Sequence, residues 1–217
     1  MLPCPVCERP RRLCFPAISH VTLESGTRVS MKQLRIGDRV QTLGPNGETV
    51  ISEVIVFLHK ETETEAEFYK LETSRGNVVI LSPQHLIFRK ENSASPISAV
   101  FATEVKLGNL LYISNGSAAT YEAVTRISIV KEIGVYAPLT TQGTLLVDGV
   151  LVSCYATWPT HDAAHFAMAP LRAAYAITGA WKRLASWMGW TFWDSLQHDD
   201  GISWYALALM ALTNVFI

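Results

Sequence analysis

The chain has 217 residues, enough for one domain of ordinary size with an appended segment. Hydrophobic residues make up 49% and charged residues 17%, so a normal hydrophobic core can form. The formal net charge of −1 gives no electrostatic basis for binding nucleic acid. Residues 1–13 lack the apolar stretch of a signal peptide, and no window reaches the roughly 18 uncharged apolar residues of a membrane-spanning helix.

The cysteine content argues against a structural metal site. Cys4 and Cys7 form a Cys-x-x-Cys pair, but no second pair follows it. A structural zinc ion needs four ligands, so we expect no metal to be bound. Cys14 and Cys154 lie far apart in the sequence and are considered separately below.

The part of the chain before Trp158 is predicted to be all-β, because short runs of β-branched and aromatic residues alternate with turn signals. Asn46-Gly47 is typical of a hairpin turn, since both residues tolerate positive φ. The predicted strands are His20–Leu23, Arg39–Thr42, Val50–Phe57, Phe68–Leu71, Val78–Leu81, Leu110–Ile113 and Val124–Val130.

A short motif occurs twice in this β region. Leu34-Arg-Ile-Gly-Asp38 is similar to Val105-Lys-Leu-Gly-Asn109, and the two glycines are offset by 108 − 37 = 71 residues. A turn glycine used twice between strands indicates two duplicated halves, which would build a pseudo-symmetric unit. A chance echo of five residues is the alternative.

All six tryptophans lie in the last 60 residues, where the strand pattern ends. Ala163–Leu184 is predicted to be helical, with Pro170 and Gly179 as candidate kinks. Tryptophan and tyrosine favour the membrane–water interface, so the tail predicts an interfacial, lipid-binding element. The candidate lipid-binding residues are Trp187, Trp190, Trp193, Trp204 and Tyr205. Ordinary packing of helices against the β region is the alternative.

Cys14 stands just before the first predicted strand and is the candidate nucleophile. A cysteine there can attack the carbonyl of the preceding Leu13 and convert the Leu13–Cys14 peptide bond into a thioester. Sulfur suits this acyl shift because a thiolate is a strong nucleophile and a good leaving group. The alternative is an inert, buried cysteine.

Ser82 and His85 are the candidate residues that assist Cys14. They lie in Leu81-Ser-Pro-Gln-His-Leu-Ile-Phe88. Histidine can deliver a proton to the departing amide nitrogen near neutral pH, and the Ser82 hydroxyl can orient that amide. A lone histidine in an apolar strand is otherwise usually a core residue.

Seven blocks of this sequence together resemble the hedgehog C-terminal autoprocessing domain. They are Cys14-Phe-Pro, Leu34-Arg-Ile-Gly-Asp-Arg-Val40, Glu67-Phe-Tyr69, Leu81-Ser-x-x-His-Leu-Ile-Phe88, Val100-Phe-Ala102, Tyr136-Ala-Pro-Leu-Thr-Thr-Gln-Gly-Thr144 and Ser153-Cys-Tyr-Ala156. The resemblance implies an all-β Hint disk with pseudo-two-fold symmetry at residues 14–157. It also implies a short upstream remnant at 1–13 and a mainly helical, membrane-associated sterol-recognition tail at 158–217.

The resemblance further implies a two-step, single-turnover reaction without a cofactor. Cys14 attacks the preceding carbonyl, with His85 as proton donor and Ser82 in the position of a family threonine. The 3β-hydroxyl of cholesterol, which is the substrate, then attacks the thioester, and the upstream segment leaves as a sterol ester.

Two residues depart from the family pattern. Leu13 stands where the family has glycine, and a bulky residue there would slow the reaction. His59 stands where the family has an aspartate that acts as general base for the sterol hydroxyl. A histidine with a pKa near 6.5 can fill that role, so we hypothesise that His59 is the base. A surface histidine after a strand end is the alternative.

Cys154 aligns with the family's second cysteine, which can pair with the nucleophile. A Cys14–Cys154 disulfide would block the reaction until it is reduced, and a buried free thiol is the alternative. The implied partners are a sterol, a membrane surface and the upstream signalling domain of a precursor, in the endoplasmic reticulum and secretory pathway.

Three other functions compete with sterol transfer. Intein splicing is not expected, because no asparagine stands among residues 149–153 before Cys154. Water or another alcohol could resolve the thioester instead of a sterol. A decayed domain that only binds lipid would lack the cleavage step altogether.

Overall fold

A computed structural model describes residues 14–44, 47–114, 119–156, 160–173, 175–177 and the backbone of 201–202. Most of this part of the chain is β-structure. The strands are β1 (His20–Thr22), β2 (Arg28–Ser30), β3 (Arg39–Leu43), β4 (Thr49–Thr73), β5 (Val78–Leu81), β6 (His85–Lys90), β7 (Ser98–Phe101), β8 (Leu110–Ser114), β9 (Ala119–Thr140), β10 (Thr144–Val147), β11 (Val150–Ala156) and β12 (Gly201–Ile202). A 3₁₀ turn spans Ala102–Glu104, and α1 spans His161–Ala167.

Two long antiparallel strands, β4 and β9, organise the fold. They pair from Val54↔Thr140 to Thr73↔Val124 with several register shifts, which bend the ladder. The main sheet has the order β10-β11-β6-β8-β9-β4-β12, with β3 and β5 also pairing with β4 and β7 with β6. β1 and β2 form a separate hairpin. One large cluster of buried apolar residues fills the space enclosed by these strands.

The prediction of two separate strands at Val50–Phe57 and Phe68–Leu71 is wrong, because both belong to the single strand β4. The intervening residues 58–67 are mostly charged or polar, which is typical of a loop. They extend as a strand because β9 pairs with them along this stretch, while most of their side chains remain partly or fully exposed. Sheet pairing here overrides the local sequence preference.

The repeated glycine motif has the same backbone geometry in both copies. Gly37 has φ +92° and Gly108 has φ +84°. The Gly37 N–H donates to the Val54 carbonyl at 2.7 Å, and the Gly108 N–H donates to the Val124 carbonyl at 2.8 Å. Each glycine thus ties a turn to one of the two long strands.

The residues that follow the two glycines also match. The Asp38 carboxylate accepts the Arg35 N–H at 2.8 Å, and the Asn109 side-chain oxygen accepts the Lys106 N–H at 3.0 Å. Both are side chains that close a turn by bonding a backbone N–H three residues back. Equal hydrogen bonds at equal offsets are the geometry that two duplicated halves would have.

Substituting alanine at either glycine tests this equivalence. A Cβ at Gly37 or Gly108 would meet nothing within 4 Å, so the only penalty is the positive φ. We expect Gly37→Ala and Gly108→Ala each to lower the free energy of unfolding by about 1–2 kcal/mol. Chemical denaturation measures both values, and a difference above about 1 kcal/mol between the two variants would contradict equivalence of the turns.

The described start of the tail is helical. α1 begins at His161 rather than at the predicted Ala163, and its N-cap Thr160 accepts the Ala163 N–H through its side chain at 3.2 Å. The helix ends at Ala167, and residues 169–173 and 175–177 are again helical. Pro170 has no N–H to donate to the carbonyl four residues earlier, which accounts for the interruption. None of the described helices is long and apolar enough to span a membrane.

Candidate active site

Cys14 is held between β9 and the turn that follows β5. Its neighbour Phe15 exchanges two backbone hydrogen bonds with Tyr136, at 3.0 and 2.9 Å. The Cys14 carbonyl accepts the Ser82 N–H at 2.9 Å. The side chain of Cys14 is almost fully buried, and this burial is the main reason that its thiol pKa is raised. The candidate nucleophile is therefore a protonated thiol at rest.

Ser82 and His85 come together because they are the ends of one β-turn. The His85 N–H donates to the Ser82 carbonyl at 3.1 Å, and Pro83 occupies the second position of the turn, where its fixed φ is favoured. Both end residues are buried. The serine and the histidine are three residues apart because they begin and end this turn. The first residue of the turn, Ser82, contacts Cys14.

The His85 imidazole has a defined tautomer. Nε2 lies 2.7 Å from the Ser153 carbonyl oxygen, which can only accept, so Nε2 carries the hydrogen. Nδ1 is buried and has no hydrogen-bond partner among the described residues. The ring packs on Phe15 with centroids 4.4 Å apart. The side chain therefore presents a bare, basic nitrogen inside the core beside the Cys14 segment.

Burial lowers the pKa of His85 to about 4, although its hydrogen bond to the Ser153 carbonyl opposes the shift. The imidazole is consequently neutral at physiological pH. His85 was predicted from sequence as a proton donor, but in this resting state its unbonded nitrogen can only accept a proton. Any proton that it later donates must first arrive from elsewhere.

Cys154 is the second buried thiol of the site. Its Sγ lies 3.5 Å from the Thr140 hydroxyl, which donates its own hydrogen to the Thr144 carbonyl at 2.9 Å. The thiol is therefore the donor to Thr140. Burial raises the pKa of Cys154 to about 11, and repulsion from a Cys154 thiolate adds to the rise in the pKa of Cys14. Both cysteines are free thiols here, and their disulfide stays a prediction.

His59 lies inside β4, so the alternative of a surface histidine after a strand end is wrong. Its side chain is only 12% exposed, and Nε2 lies 2.8 Å from a carboxylate oxygen of Glu61. The other Glu61 oxygen accepts the Thr64 hydroxyl at 2.6 Å, which fixes the carboxylate. His59 thus has a carboxylate partner, the arrangement that orients a histidine base.

The sheet register separates His59 from Cys14 by one strand. Tyr136 pairs with Phe15 on one side and with Lys60 on the other, and Ala137 pairs with His59. Two strand spacings correspond to about 10 Å. The structure therefore brings Cys14, Ser82, His85 and Cys154 together and leaves His59 two strand spacings away from Cys14. On its other edge, His59 pairs with Ile202 of β12.

Several predicted residues lie outside the described part of the chain. They are Leu13, the Cys4–Cys7 pair, Trp187, Trp190, Trp193, Trp204 and Tyr205. Among the described residues, no group of three or more histidine, cysteine, aspartate or glutamate side chains is placed to hold a metal ion.

A cluster that the sequence interpretation missed joins the start of the tail to β11. We call Tyr155, His161, His165 and Arg172 the histidine cluster. The Arg172 guanidinium donates to the Tyr155 hydroxyl at 3.0 Å, and this hydroxyl lies 3.0 Å from His165 Nδ1. The two histidine rings stack with centroids 5.6 Å apart. Histidines four residues apart on a helix were the available signal, because such residues share one face.

The histidine cluster predicts an acid-sensitive contact. Burial, the neighbouring His165 and Arg172 together lower the pKa of His161 to about 4, and burial followed by Arg172 lowers that of His165; Asp162 opposes both shifts. The pKa of each histidine in the folded state lies below its unfolded value near 6.5. The neutral histidines therefore stabilise the contact between the tail and β11 above pH 6.5, and this stabilisation is lost as the pH falls toward 4. We expect amide protection in 163–167 to fall by roughly tenfold from pH 7.5 to 5, measured by hydrogen exchange corrected for intrinsic rates. If a His161→Phe/His165→Phe double variant kept the same pH dependence, the cluster would not be its source.

Comparison with known proteins identifies the family that the chain resembles. The family model described as the Hint module matches residues 9–217. The Tiggy-winkle hedgehog protein of Danio rerio is 36% identical over 198 residues, covering 89% of this chain and 46% of that protein. The hedgehog protein of Drosophila virilis is 34% identical over 203 residues, covering 90% of this chain and 42% of that protein. The chain thus spans less than half the length of these relatives.

Solved structures match at the level of the fold. A DnaB intein from Synechocystis sp. PCC 6803 superposes with a TM-score of 0.56 at 15% identity, covering 67% of this chain and 99% of the intein. An intein-like domain from Clostridium thermocellum gives 0.53 at 22% identity, covering 65% and 98%. The predicted Hint β fold is therefore confirmed, and so is the resemblance to hedgehog proteins.

Proposed function

The chain belongs to the Hint module family, whose hedgehog members are its relatives, and on this premise we propose that it cleaves its own Leu13–Cys14 peptide bond through an internal thioester. Membership of this family supports self-processing in general. The observation that carries the finer proposal is the His85 ring, whose Nε2 is occupied by the Ser153 carbonyl so that the bare Nδ1 is left beside the Cys14 segment.

In the first step, His85 acts first as base and then as acid. The Cys14 thiol gives its proton to His85 Nδ1 as Sγ forms a bond to the Leu13 carbonyl carbon. The bond from that carbon to the Cys14 nitrogen then breaks, and His85 returns the proton to the nitrogen, which leaves as an amine. Burial raises the thiol pKa and lowers the histidine pKa, so a separated ion pair is unfavourable. Proton transfer therefore accompanies the attack instead of preceding it.

Ser82 positions the reacting segment. Its N–H holds the Cys14 carbonyl, which fixes the residue directly after the scissile bond. Its buried hydroxyl stands on the same turn as His85, and we assign it the orientation of the scissile amide. Leu13 supplies the carbonyl that is attacked.

In the second step, an alcohol resolves the thioester, and cholesterol is the alcohol that we propose. His59 takes the proton of the 3β-hydroxyl as its oxygen attacks the Leu13 carbonyl carbon. The bond to Cys14 Sγ breaks, the thiolate regains a proton, and the upstream segment leaves as a sterol ester. The Glu61 carboxylate would orient the His59 ring. A gap of about 10 Å between the two residues is room for the substrate hydroxyl.

The division of the chain follows from these roles. Residues 14–157 form the autoprocessing domain, residues 1–13 are what precedes the scissile bond, and residues 158–217 recruit the sterol at a membrane surface. The upstream group in a full precursor would be a signalling domain, and the compartment would be the secretory pathway.

A fusion with a reporter protein upstream of Leu13 tests the proposal. The fusion is incubated with dithiothreitol, with cholesterol in detergent, or with neither, and the released reporter is weighed by mass spectrometry. We expect a dithiothreitol-cleaved reporter in the first case and a sterol ester in the second. The Cys14→Ala fusion should release nothing in either case.

The outcomes separate the candidate functions. Release with dithiothreitol but only hydrolysed reporter with cholesterol would replace sterol by water as the second nucleophile. No release under any condition would refute the thioester and leave a domain that only binds lipid.

A further inference from the structure

Ser153 makes one hydrogen bond within the candidate active site and another to the start of the tail. Its carbonyl accepts the His85 Nε2–H at 2.7 Å. Its hydroxyl lies 3.0 Å from Nδ1 of His161, the first residue of α1. Ser153 itself is fully buried, so neither group can exchange its partner for bulk water. A single residue therefore connects the helix that begins the tail with the catalytic imidazole.

A β-bulge makes the Ser153 carbonyl available. The pairing of β11 with β6 shifts register between Val152↔Ile87 and Ala156↔His85. A bulge releases backbone groups from the ladder and re-aims them, a device common beside active sites. The Tyr155 N–H donates to the Ser153 hydroxyl at 3.0 Å instead of to a neighbouring strand. The Ser153 side chain thus maintains the bulge that turns its own carbonyl toward His85.

The hydroxyl has only one hydrogen to give. It already accepts the Tyr155 N–H, and His161 is neutral because burial and neighbouring charges lower its pKa to about 4. Because Ser153 is fully buried, its hydroxyl hydrogen needs an acceptor, and a neutral His161 can supply one at Nδ1, so we assign the hydroxyl as the donor. The His161 ring is itself fixed, since it packs edge-on against Phe88 at 5.1 Å and stacks on His165. Each side chain between α1 and His85 is thus held in place by hydrogen bonds or ring packing.

We propose that His161 is a positioning residue for the first step of the reaction: by fixing the Ser153 hydroxyl, it keeps the Ser153 carbonyl on His85 and so sets the orientation and tautomer of the catalytic ring. The inference rests on the proposed function and deepens it. Docking of α1 on β11 then speeds thioester formation. The first helical turn of the tail thus acts on the first step of the reaction as well as on the second.

The test uses the reporter fusion of the full chain and two readouts. The rate of dithiothreitol-induced release reports the first step, and ¹⁵N chemical shifts of the His85 ring report its tautomer. The loss of one hydrogen bond has a modest effect, so we expect His161→Phe to slow release by about twofold to tenfold. The same variant should shift the His85 ring resonances away from the pure Nε2–H form.

Two variants distinguish positioning from general loss of packing. His161→Asn places an amide oxygen near the position of Nδ1 and should restore most of the rate. Phe166→Ala alters an exposed side chain on the same helix and should leave both readouts unchanged. Ser153→Ala should slow release at least as much as His161→Phe, because it also removes the acceptor of the Tyr155 N–H. The double variant should be no slower than Ser153→Ala alone, since that change already breaks the bond to His161.

Failure of the positioning role and failure of the proposed function give different results. Slow release of His161→Phe with an unchanged His85 spectrum would overturn the proposal, and so would additive effects in the double variant. If the unaltered fusion never forms a thioester, the proposed function fails. The ring spectrum of His161→Phe would then still decide whether His161 positions His85.

Discussion

Replacing His85 by glutamine is expected to slow dithiothreitol-induced release of an upstream reporter by about 10²- to 10⁴-fold. In the proposed mechanism, the buried His85 Nδ1 takes the Cys14 proton and returns it to the leaving nitrogen. Glutamine can place an N–H where Nε2 now donates to the Ser153 carbonyl, but it has no basic nitrogen. The variant therefore removes the proton transfer and keeps the structural hydrogen bond. Single-turnover release followed on gels gives the rate.

Folding of the glutamine variant must be shown for the result to be decisive. Its thermal unfolding midpoint should stay within a few degrees of the unaltered protein, since the Ser153 bond and most of the Phe15 contact are retained. A folded variant that releases reporter within threefold of the original rate would show that another group moves the proton.

Replacing His59 by alanine is expected to suppress sterol-ester formation by about 10²-fold or more while leaving dithiothreitol cleavage within twofold. His59 lies two strands from Cys14, so it does not contact the groups that form the thioester. Dithiothreitol supplies its own nucleophilic thiolate and needs no base from the protein. Mass spectrometry of the products after incubation with cholesterol measures the ratio of ester to thioester-derived product.

Two matched variants define the role of His59. His59→Asp introduces the residue that the resembling family uses as base and should recover most of the ester. Glu61→Gln leaves the imidazole in place but removes the charge that orients it, so an intermediate loss is expected. Ester formation unaffected by His59→Ala would show that the second step uses no base at this position.

The parts of the fold that depend on local pattern could be predicted from the sequence. β5 was predicted with the bounds that it has, because Val78–Leu81 is a run of apolar, β-branched residues ended by a proline turn. The motifs around Gly37 and Gly108 pointed to a duplication, because a positive φ at a turn selects glycine wherever it recurs. These features depend on a few neighbouring residues only.

The parts that depend on distant contacts could not be predicted. The middle of β4 is a strand only because β9 pairs with it, and no local signal in residues 58–67 states this. The role of Ser153 was equally hidden, because its contribution to His85 is a backbone carbonyl, which every residue has. The resting tautomer of His85 followed only when that carbonyl was located, and it leaves Nδ1 of the resting ring as a proton acceptor.

The threading of the Cys14 segment between distant strands also sets a time at which the chemistry can begin. Phe15 is held by Tyr136, and His85 is held by Ser153, so the site is incomplete until 153 − 14 = 139 further residues have followed Cys14. A ribosome adds about 5–20 residues per second, which makes this delay about 7–28 s. During that interval, the part of the chain upstream of Cys14 can emerge and fold while the Leu13–Cys14 bond is still uncleaved. The order of synthesis would thus delay the proposed cleavage of the Leu13–Cys14 bond.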